Sequence, residues 1–144
     1  MNGNEILRVE HLKKYFKTNS GILHAVDDVS FSIKQGETLG IVGESGCGKS
    51  TLGRAILRLH EPTAGKVYFQ DNDITAYSKL QMKNLRRDMQ IIFQDPYASL
   101  NPRMTIKEAL SEPLIIQGIC KPRDKTGLEK RIREIMDLVG LSQR

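Results

Sequence analysis

The sequence has few cysteines, few aromatic residues and no long apolar run, and each shortage excludes a class of protein. Two cysteines, Cys47 and Cys120, among 144 residues cannot build a disulfide framework, which predicts a reducing, cytoplasmic setting. The longest apolar stretches, such as residues 39–42 and 114–116, are far shorter than the ~20 residues that a membrane-spanning helix needs. The three histidines have no ligand spacing to either cysteine, so the sequence contains no zinc pattern.

The remaining composition is that of a globular protein. Hydrophobic residues make up 39% and charged residues 27% of the chain, which excludes a disordered or collagen-like protein. The 22 lysines and arginines exceed the 17 acidic residues by five. Because this charge is spread along the chain, it is typical of a slightly basic, solvated surface. At 144 residues the chain is expected to form one domain or part of one.

Apolar periodicity predicts strands in the first part of the chain. Val29, Phe31 and Ile33 alternate with polar residues, the period-two pattern of a half-buried strand. Residues 7–10 and 66–69 resemble shorter strands, and a turn is expected at residues 19–21. The continuous apolar runs 38–42 and 89–93 predict two further strands that are buried on both faces of a parallel sheet.

Helical spacing appears between and after these strands. Apolar residues at i, i+3, i+4 and i+7 predict a helix over 52–59. Capping boxes at 78–81 and 105–108 predict two further helices, the second kinked or stopped by Pro113. An apolar face over 128–139 predicts a last helix with its C-cap at Gly140. The alternation of strands and helices indicates an α/β protein.

One motif carries chemistry. Residues Gly43 to Ser50, GESGCGKS, satisfy the pattern G-x-x-x-x-G-K-[ST] between a predicted buried strand and a predicted helix. Glycines let the loop turn its backbone N–H groups inward, Lys49 can reach the β- and γ-phosphates, and the Ser50 hydroxyl can bind Mg²⁺. The sequence therefore predicts a site for a nucleoside triphosphate.

Two families with such a loop fit poorly. GTPases read guanine with an Asn-Lys-x-Asp motif, which this sequence lacks. Asp137 to Gly140 matches their D-x-x-G pattern, but it lies where we expect a helix to end. GTPases and small-molecule kinases both begin close to the loop, whereas 42 residues precede it here.

The chain resembles the ATP-binding subunits of ABC transporters from about Ile6 to Leu141. The resemblance is carried by LKKYF at 12–16, AVDDVSFSI at 25–33, GETLGIVG at 36–43 and the phosphate loop that follows. IIFQDP at 91–96 resembles the Q-loop of that family. Its extension to Arg103, QDPYASLNPR from Gln94, resembles the branch that imports oligopeptides, dipeptides and nickel.

The resemblance implies an α/β fold with a partial P-loop NTPase core, an N-terminal antiparallel β-subdomain and the start of a helical subdomain. It assigns about 1–37 and 64–77 to the β-subdomain, 38–63 and 78–96 to the core, and 97–144 to the helical subdomain. The family's signature sequence, catalytic carboxylate and switch histidine do not occur in these 144 residues. The chain is therefore expected to be an N-terminal portion, with its catalytic residues beyond Arg144 and little ATPase activity of its own.

The resemblance also implies the ligands and their residues. ATP and Mg²⁺ are the expected cofactors, with Ser50 and Gln94 as metal ligands. Phe16 fits the spacing of the aromatic residue that stacks on adenine, although Tyr15 is adjacent. The expected nucleotide-binding residues are Phe16, Gly43, Glu44, Ser45, Gly46, Cys47, Gly48, Lys49, Ser50, Thr51 and Gln94.

The partners implied are transmembrane permease subunits, a second ATP-binding subunit and, indirectly, a substrate-binding protein. Residues 97–100 would border the groove that receives the permease, on the inner face of the cell membrane. The predicted function is ATP binding that powers import of oligopeptides or dipeptides, with no contact to nucleic acid. Two alternatives stay open: an ABC ATPase that acts on nucleic acid or the ribosome, and a nucleotide-binding module without hydrolysis.

Overall fold

A computed structural model describes residues 5–95 and 100–141 of the chain. It divides into two compact units, one up to Met89 and one from Gln90 onward. The domain bounds predicted from the family resemblance remain a prediction. The predicted permease groove lies largely at residues 97–99, which are outside the described residues.

The first unit is built on an antiparallel sheet. Strands β1 (Glu5–Thr18) and β2 (Gly21–Lys34) form a long hairpin, followed by β3 (Ala64–Phe69) and the short β4 (Asn72–Asp73). The strand order is β2-β1-β3-β4, and every pair is antiparallel. The predicted N-terminal antiparallel sheet is therefore confirmed, including the turn at residues 19–20.

Helix α1 (Lys49–Ile56) packs its apolar face into the same core as the sheet. Leu52, Ala55 and Ile56 are buried on that face, as their helical spacing predicts. Leu59 lies beyond the end of the helix and is 45% exposed. The core is completed by the buried apolar residues of the sheet and of the segment that follows it: Val9, Leu12, Val26, Val67, Phe69, Ile74 and Met82.

Local hydrogen bonds start the next two elements. The Asp73 carboxylate accepts a hydrogen bond from the Thr75 N–H and begins a 3-10 helix (Ile74–Ala76). Helix α2 (Lys79–Leu85) begins with the predicted capping box, in which Ser78 and Gln81 each accept from the other's backbone N–H. Such a box satisfies two N–H groups that the first helical turn leaves without a partner.

The second unit contains helices α3 (Ile106–Ile116) and α4 (Lys125–Leu138). The predicted capping box of Thr105 and Glu108 begins α3, and an ion pair of 2.9 Å between Lys107 Nζ and Glu129 Oε1 joins the two helices. Pro113 does not stop α3. The turn after the proline keeps its hydrogen bond from the Gln117 N–H to the Pro113 carbonyl, 3.0 Å, and contains the buried Leu114.

Helix α4 ends as the sequence predicts. Gly140 has φ of 72°, and its N–H donates to the Asp137 carbonyl at 3.2 Å. The Leu141 N–H donates to the Met136 carbonyl at 2.9 Å. This pair of bonds around a left-handed glycine is a Schellman motif. The D-x-x-G pattern at 137–140 is therefore a helix terminus.

Two predicted strands are absent from the described residues. Residues 38–42 and 89–93 form no regular element there, and their side chains include Val42 at 92% and Ile92 at 97% exposure. A strand forms only where a neighbouring strand accepts and donates its backbone hydrogen bonds. Within 5–95 and 100–141 the paired strands are β1 to β4, so an apolar run alone was insufficient to predict a strand.

In the described part of the chain, no helix has the length and the apolar character that crossing a membrane requires.

Candidate nucleotide-binding site

The predicted phosphate loop connects the end of residues 38–42 to the start of α1. Gly46 and Gly48 have φ of 82° and 99°, in the left-handed region that residues with a Cβ atom adopt only at a cost in free energy. Gly48 is also the N-cap of α1. The loop therefore turns sharply into the helix at Gly48, where the motif requires glycine, and at Gly46, a position that the motif leaves open.

Gly48 is packed against strand β2. A Cβ atom at this position would lie 2.0 Å from the carbonyl oxygen of Ala25, far closer than any non-bonded contact allows. Glycine is consequently required here for close approach as well as for its φ angle. Through this contact the phosphate loop packs directly against β2.

The N-terminus of α1 carries no internal acceptor. Gly48 supplies no side-chain cap, and the first turn of α1 contains no acidic residue. The first N–H groups of a helix have no intrahelical partner, and the helix dipole adds positive potential at this end. The start of α1 is therefore suited to a negatively charged group.

The Lys49 side chain folds back over the loop. Its Nζ donates to the carbonyl oxygens of Gly43 at 2.7 Å and Glu44 at 2.6 Å. The same atom lies 3.6 Å from the Sγ of Cys47, whose side chain is exposed. These hydrogen bonds stabilise the loop and hold the Lys49 ammonium group against it.

A cavity of about 300 Å³ lies between the loop and the hairpin. It is lined by Phe16, by residues 23–25 of β2 and by residues 46–51. The structure thus brings together the predicted Phe16, Lys49, Ser50 and Thr51 around one space. Of the two adjacent aromatic residues, Phe16 lines this cavity and Tyr15 does not.

The Phe16 ring is held from two sides. Lys14 Nζ lies 4.7 Å from the ring centroid and donates to the Glu61 carbonyl at 2.9 Å. The His60 ring meets Phe16 edge-on, with centroids 5.5 Å apart. Sequence reasoning missed Lys14, His60 and Ala25 because their contacts depend on strand register and on the chain beyond α1, for which no local pattern exists.

Tyr15 has different partners. Its hydroxyl donates to the carboxylate of Asp27, and its ring stacks on His24 with centroids 3.9 Å apart. The hydrogen bond from Tyr15 is the main cause that lowers the pKa of Asp27, and it raises the pKa of Tyr15 in return. The phenol therefore stays protonated and the carboxyl ionised around neutral pH.

Gln94 is an exposed residue of the second unit, whereas Ser50 belongs to the first. Their pairing as metal ligands stays a prediction. Within residues 5–95 and 100–141, no cluster of three or more His, Cys, Asp or Glu side chains could hold a metal ion.

Comparison with known proteins identifies the family. The ABC transporter family matches residues 26–144 of the chain, and the chain belongs to that family. Among its relatives, the oligopeptide transport ATP-binding protein OppF of Bacillus subtilis is 47% identical over 140 residues, with 96% of this chain and 45% of OppF covered. A putative peptide import ATP-binding protein of Brucella ovis is 48% identical, with 98% of this chain and 44% of that protein covered. The chain thus spans less than half the length of these relatives.

Solved structures agree with this assignment. The dimeric structure of MJ0796, a bacterial ABC transporter cassette, has a TM-score of 0.76 and 29% identity, covering 96% of this chain and 59% of that one. A structure of the same cassette bound to ADP and inorganic phosphate has a TM-score of 0.75 at the same identity and coverage. The α/β class is therefore confirmed.

Proposed function

We propose that this chain binds Mg-ATP through residues 43–51 and is the ATP-binding part of an importer for oligopeptides or dipeptides. The observation that carries the proposal is the phosphate loop itself, which meets Phe16 across one cavity of about 300 Å³. The relatives named for oligopeptide and peptide import support the substrate class.

The residues around the cavity fit the triphosphate chemically. The α1 N-terminus offers N–H groups that no side chain caps, and Lys49 adds a cation beside them. Backbone donors with one lysine match the chemistry of phosphate oxygens. Phe16 offers an aromatic ring for the adenine, a contact that is favoured by stacking.

Ser50 and Gln94 are the proposed ligands of Mg²⁺, through the hydroxyl and the side-chain amide oxygen. Both are hard oxygen donors of the kind that Mg²⁺ prefers. When bound, the metal neutralises negative charge on the β- and γ-phosphates. Neither donor adds a negative charge of its own beside the triphosphate.

Permease subunits and a second ATP-binding subunit are the proposed partners, and the inner face of the cell membrane is the proposed location. The dimeric bacterial cassette supports a second ATP-binding subunit. The residues that would border the permease groove follow Gln94, so the same segment would connect nucleotide to partner.

Titration calorimetry with Mg-ATP tests the nucleotide assignment. Lys49→Ala should remove most of the measurable affinity, because it deletes the charge expected to face the β- and γ-phosphates. Lys83→Ala is the matched control, since Lys83 is an exposed lysine on α2 and its loss should leave binding unchanged. Equal affinity of the Lys49→Ala variant and the unaltered chain would refute the assignment.

A further inference from the structure

Strand β2 contains one extra residue beside the phosphate loop. In the β1–β2 pairing, Lys14 lies opposite Val26, whereas the next residue of β1, Tyr15, lies opposite His24. Ala25 therefore has no counterpart on β1 and forms a β-bulge. A bulge bends its strand locally and directs backbone groups out of the regular ladder.

The carbonyl of that extra residue is the group against which the phosphate loop packs. The Ala25 oxygen and carbon would lie 2.0 Å and 3.2 Å from a Cβ at Gly48. Because Gly48 is the N-cap of α1, a displacement of the Ala25 carbonyl would displace the loop and the first N–H groups of the helix. The position of the bulge thus determines the position of the phosphate loop and of the first N–H groups of α1.

Side chains on both flanks of the bulge are tied to one tyrosine. Ahead of Ala25, the ring of His24 stacks on Tyr15 at an interplanar angle of 15°. Beyond it, the Asp27 carboxylate accepts the hydrogen bond of the Tyr15 hydroxyl. His24 Nδ1 lies 3.4 Å from the second Asp27 oxygen, which closes the triangle around the bulge.

The charges around this triangle favour the same arrangement. Lys13 Nζ lies 3.8 Å from the Asp27 carboxylate, so a cation from β1 also faces it. The Asp27 and His24 side chains are 51% and 52% exposed. Water competes with such bonds, which therefore position the strand without dominating the stability of the sheet.

We propose that Tyr15, His24 and Asp27 form a clasp that holds the Ala25 bulge against Gly48 and so positions the phosphate loop for nucleotide. The proposal rests on the nucleotide-binding function proposed above. It gives Tyr15 a role different from that of its neighbour Phe16. Phe16 is expected to touch the base, whereas Tyr15 acts on the phosphates through the backbone of β2.

Two ligands separate these routes, Mg-ATP and inorganic triphosphate with Mg²⁺, because only ATP carries a base for Phe16. Tyr15→Phe removes one oxygen atom and keeps the ring, and Asp27→Ala removes the acceptor. Asp27→Asn keeps an acceptor oxygen and is the conservative rescue. Tyr68→Phe on β3 is the matched control, since it removes the same atom from a tyrosine outside the cavity lining.

Calorimetry should show that Tyr15→Phe and Asp27→Ala each weaken both ligands by about threefold to tenfold, the range of one or two exposed hydrogen bonds. Asp27→Asn and Tyr68→Phe should stay within about twofold of the unaltered chain. The double variant should bind about as weakly as the weaker single variant, because both changes open the same clasp.

Other outcomes overturn the clasp. A loss for ATP with unchanged triphosphate binding would show that Tyr15 acts through Phe16, and lower melting temperatures with unchanged affinities would show a structural role only. If Asp27→Ala fails to fold, Tyr15→Phe decides the test alone. Absence of binding by the unaltered chain would instead refute the proposed function.

Discussion

Arg58 is expected to contribute strongly to the stability of the first unit. It follows α1 and its side chain is only 12% exposed. One terminal nitrogen donates to the carbonyls of Ile74 at 2.8 Å and Tyr77 at 2.7 Å. The other two nitrogens donate to both oxygens of the Glu61 carboxylate, at 2.9 and 3.0 Å. One guanidinium thus connects the end of α1 to the 3-10 helix.

The two halves of this network differ in strength. Glu61 is 68% exposed, so its ion pair contributes about 0–1 kcal/mol. The two carbonyl bonds are shielded and charge-assisted, and each contributes about 1.5 kcal/mol. Arg58→Ala should therefore lower the free energy of unfolding by about 3 kcal/mol, and Glu61→Ala by less than about 1 kcal/mol.

A third variant separates the side chain from the backbone. Arg58 has φ of 50°, a left-handed conformation that costs a residue with a Cβ about 1 kcal/mol relative to glycine. Arg58→Gly loses the same hydrogen bonds as Arg58→Ala but relieves this cost. It should therefore be about 1 kcal/mol more stable than the alanine variant.

Urea unfolding followed by circular dichroism measures these differences. With an m value of about 1.5 kcal/mol/M, the Arg58→Ala midpoint should fall by about 2 M. Arg86→Ala, at an exposed arginine after α2, is the control and should leave the midpoint unchanged. The reasoning fails if Arg58→Ala costs no more than Glu61→Ala.

Three further predictions concern two left-handed glycines, a helix cap and the phosphate loop. Gly65→Ala should cost about 2–4 kcal/mol in the same urea assay, since its Cβ would lie 2.3 Å from the His11 carbonyl oxygen. Gly36 has a similar left-handed φ, 80° against 87° for Gly65, but open space around its Cβ position, so Gly36→Ala should cost about 1 kcal/mol. The backbone hydrogen bond from Thr105 lowers the pKa of Glu108 in the folded protein. This carboxylate therefore stabilises the fold at pH values above its ordinary pKa, and the stabilisation is lost as the pH falls through the lower pKa of the folded state. Glu108→Ala should accordingly make stability fall less steeply in acid, and parallel curves for both chains would contradict this. A bulky thiol reagent should label Cys47 more slowly in saturating Mg-ATP; equal rates would place the thiol away from bound nucleotide.

Elements that depend on neighbouring residues were predictable from the sequence. The capping boxes at Ser78 and Thr105 form as expected, because both partners of each hydrogen bond lie within four positions of the chain. Gly140 ends α4 for the same reason. The phosphate loop belongs to this group, since its glycines and lysine act within one loop and one helix turn.

Elements that depend on partners distant in the sequence were not predictable from the sequence. Residues 38–42 have the apolar run of a buried strand, yet strand formation requires a neighbour that the run itself does not encode. The proline in α3 is the reverse case. Pro113 predicts a break, but a buried Leu114 and the bonds of the following turn retain the helix to Ile116.

The site itself combines both kinds of information. A phosphate bound as proposed would require glycine at position 48, and this reason can be read from the loop sequence alone. The structure adds a second reason, the Ala25 carbonyl at a distance that no Cβ tolerates. That carbonyl belongs to the residue by which β2 exceeds β1 between the Lys14–Val26 and Tyr15–His24 pairs. The alternating pattern of residues 29–33 could not show this feature of register. The motif therefore specifies the chemistry of the loop, while the hairpin determines where that chemistry is held.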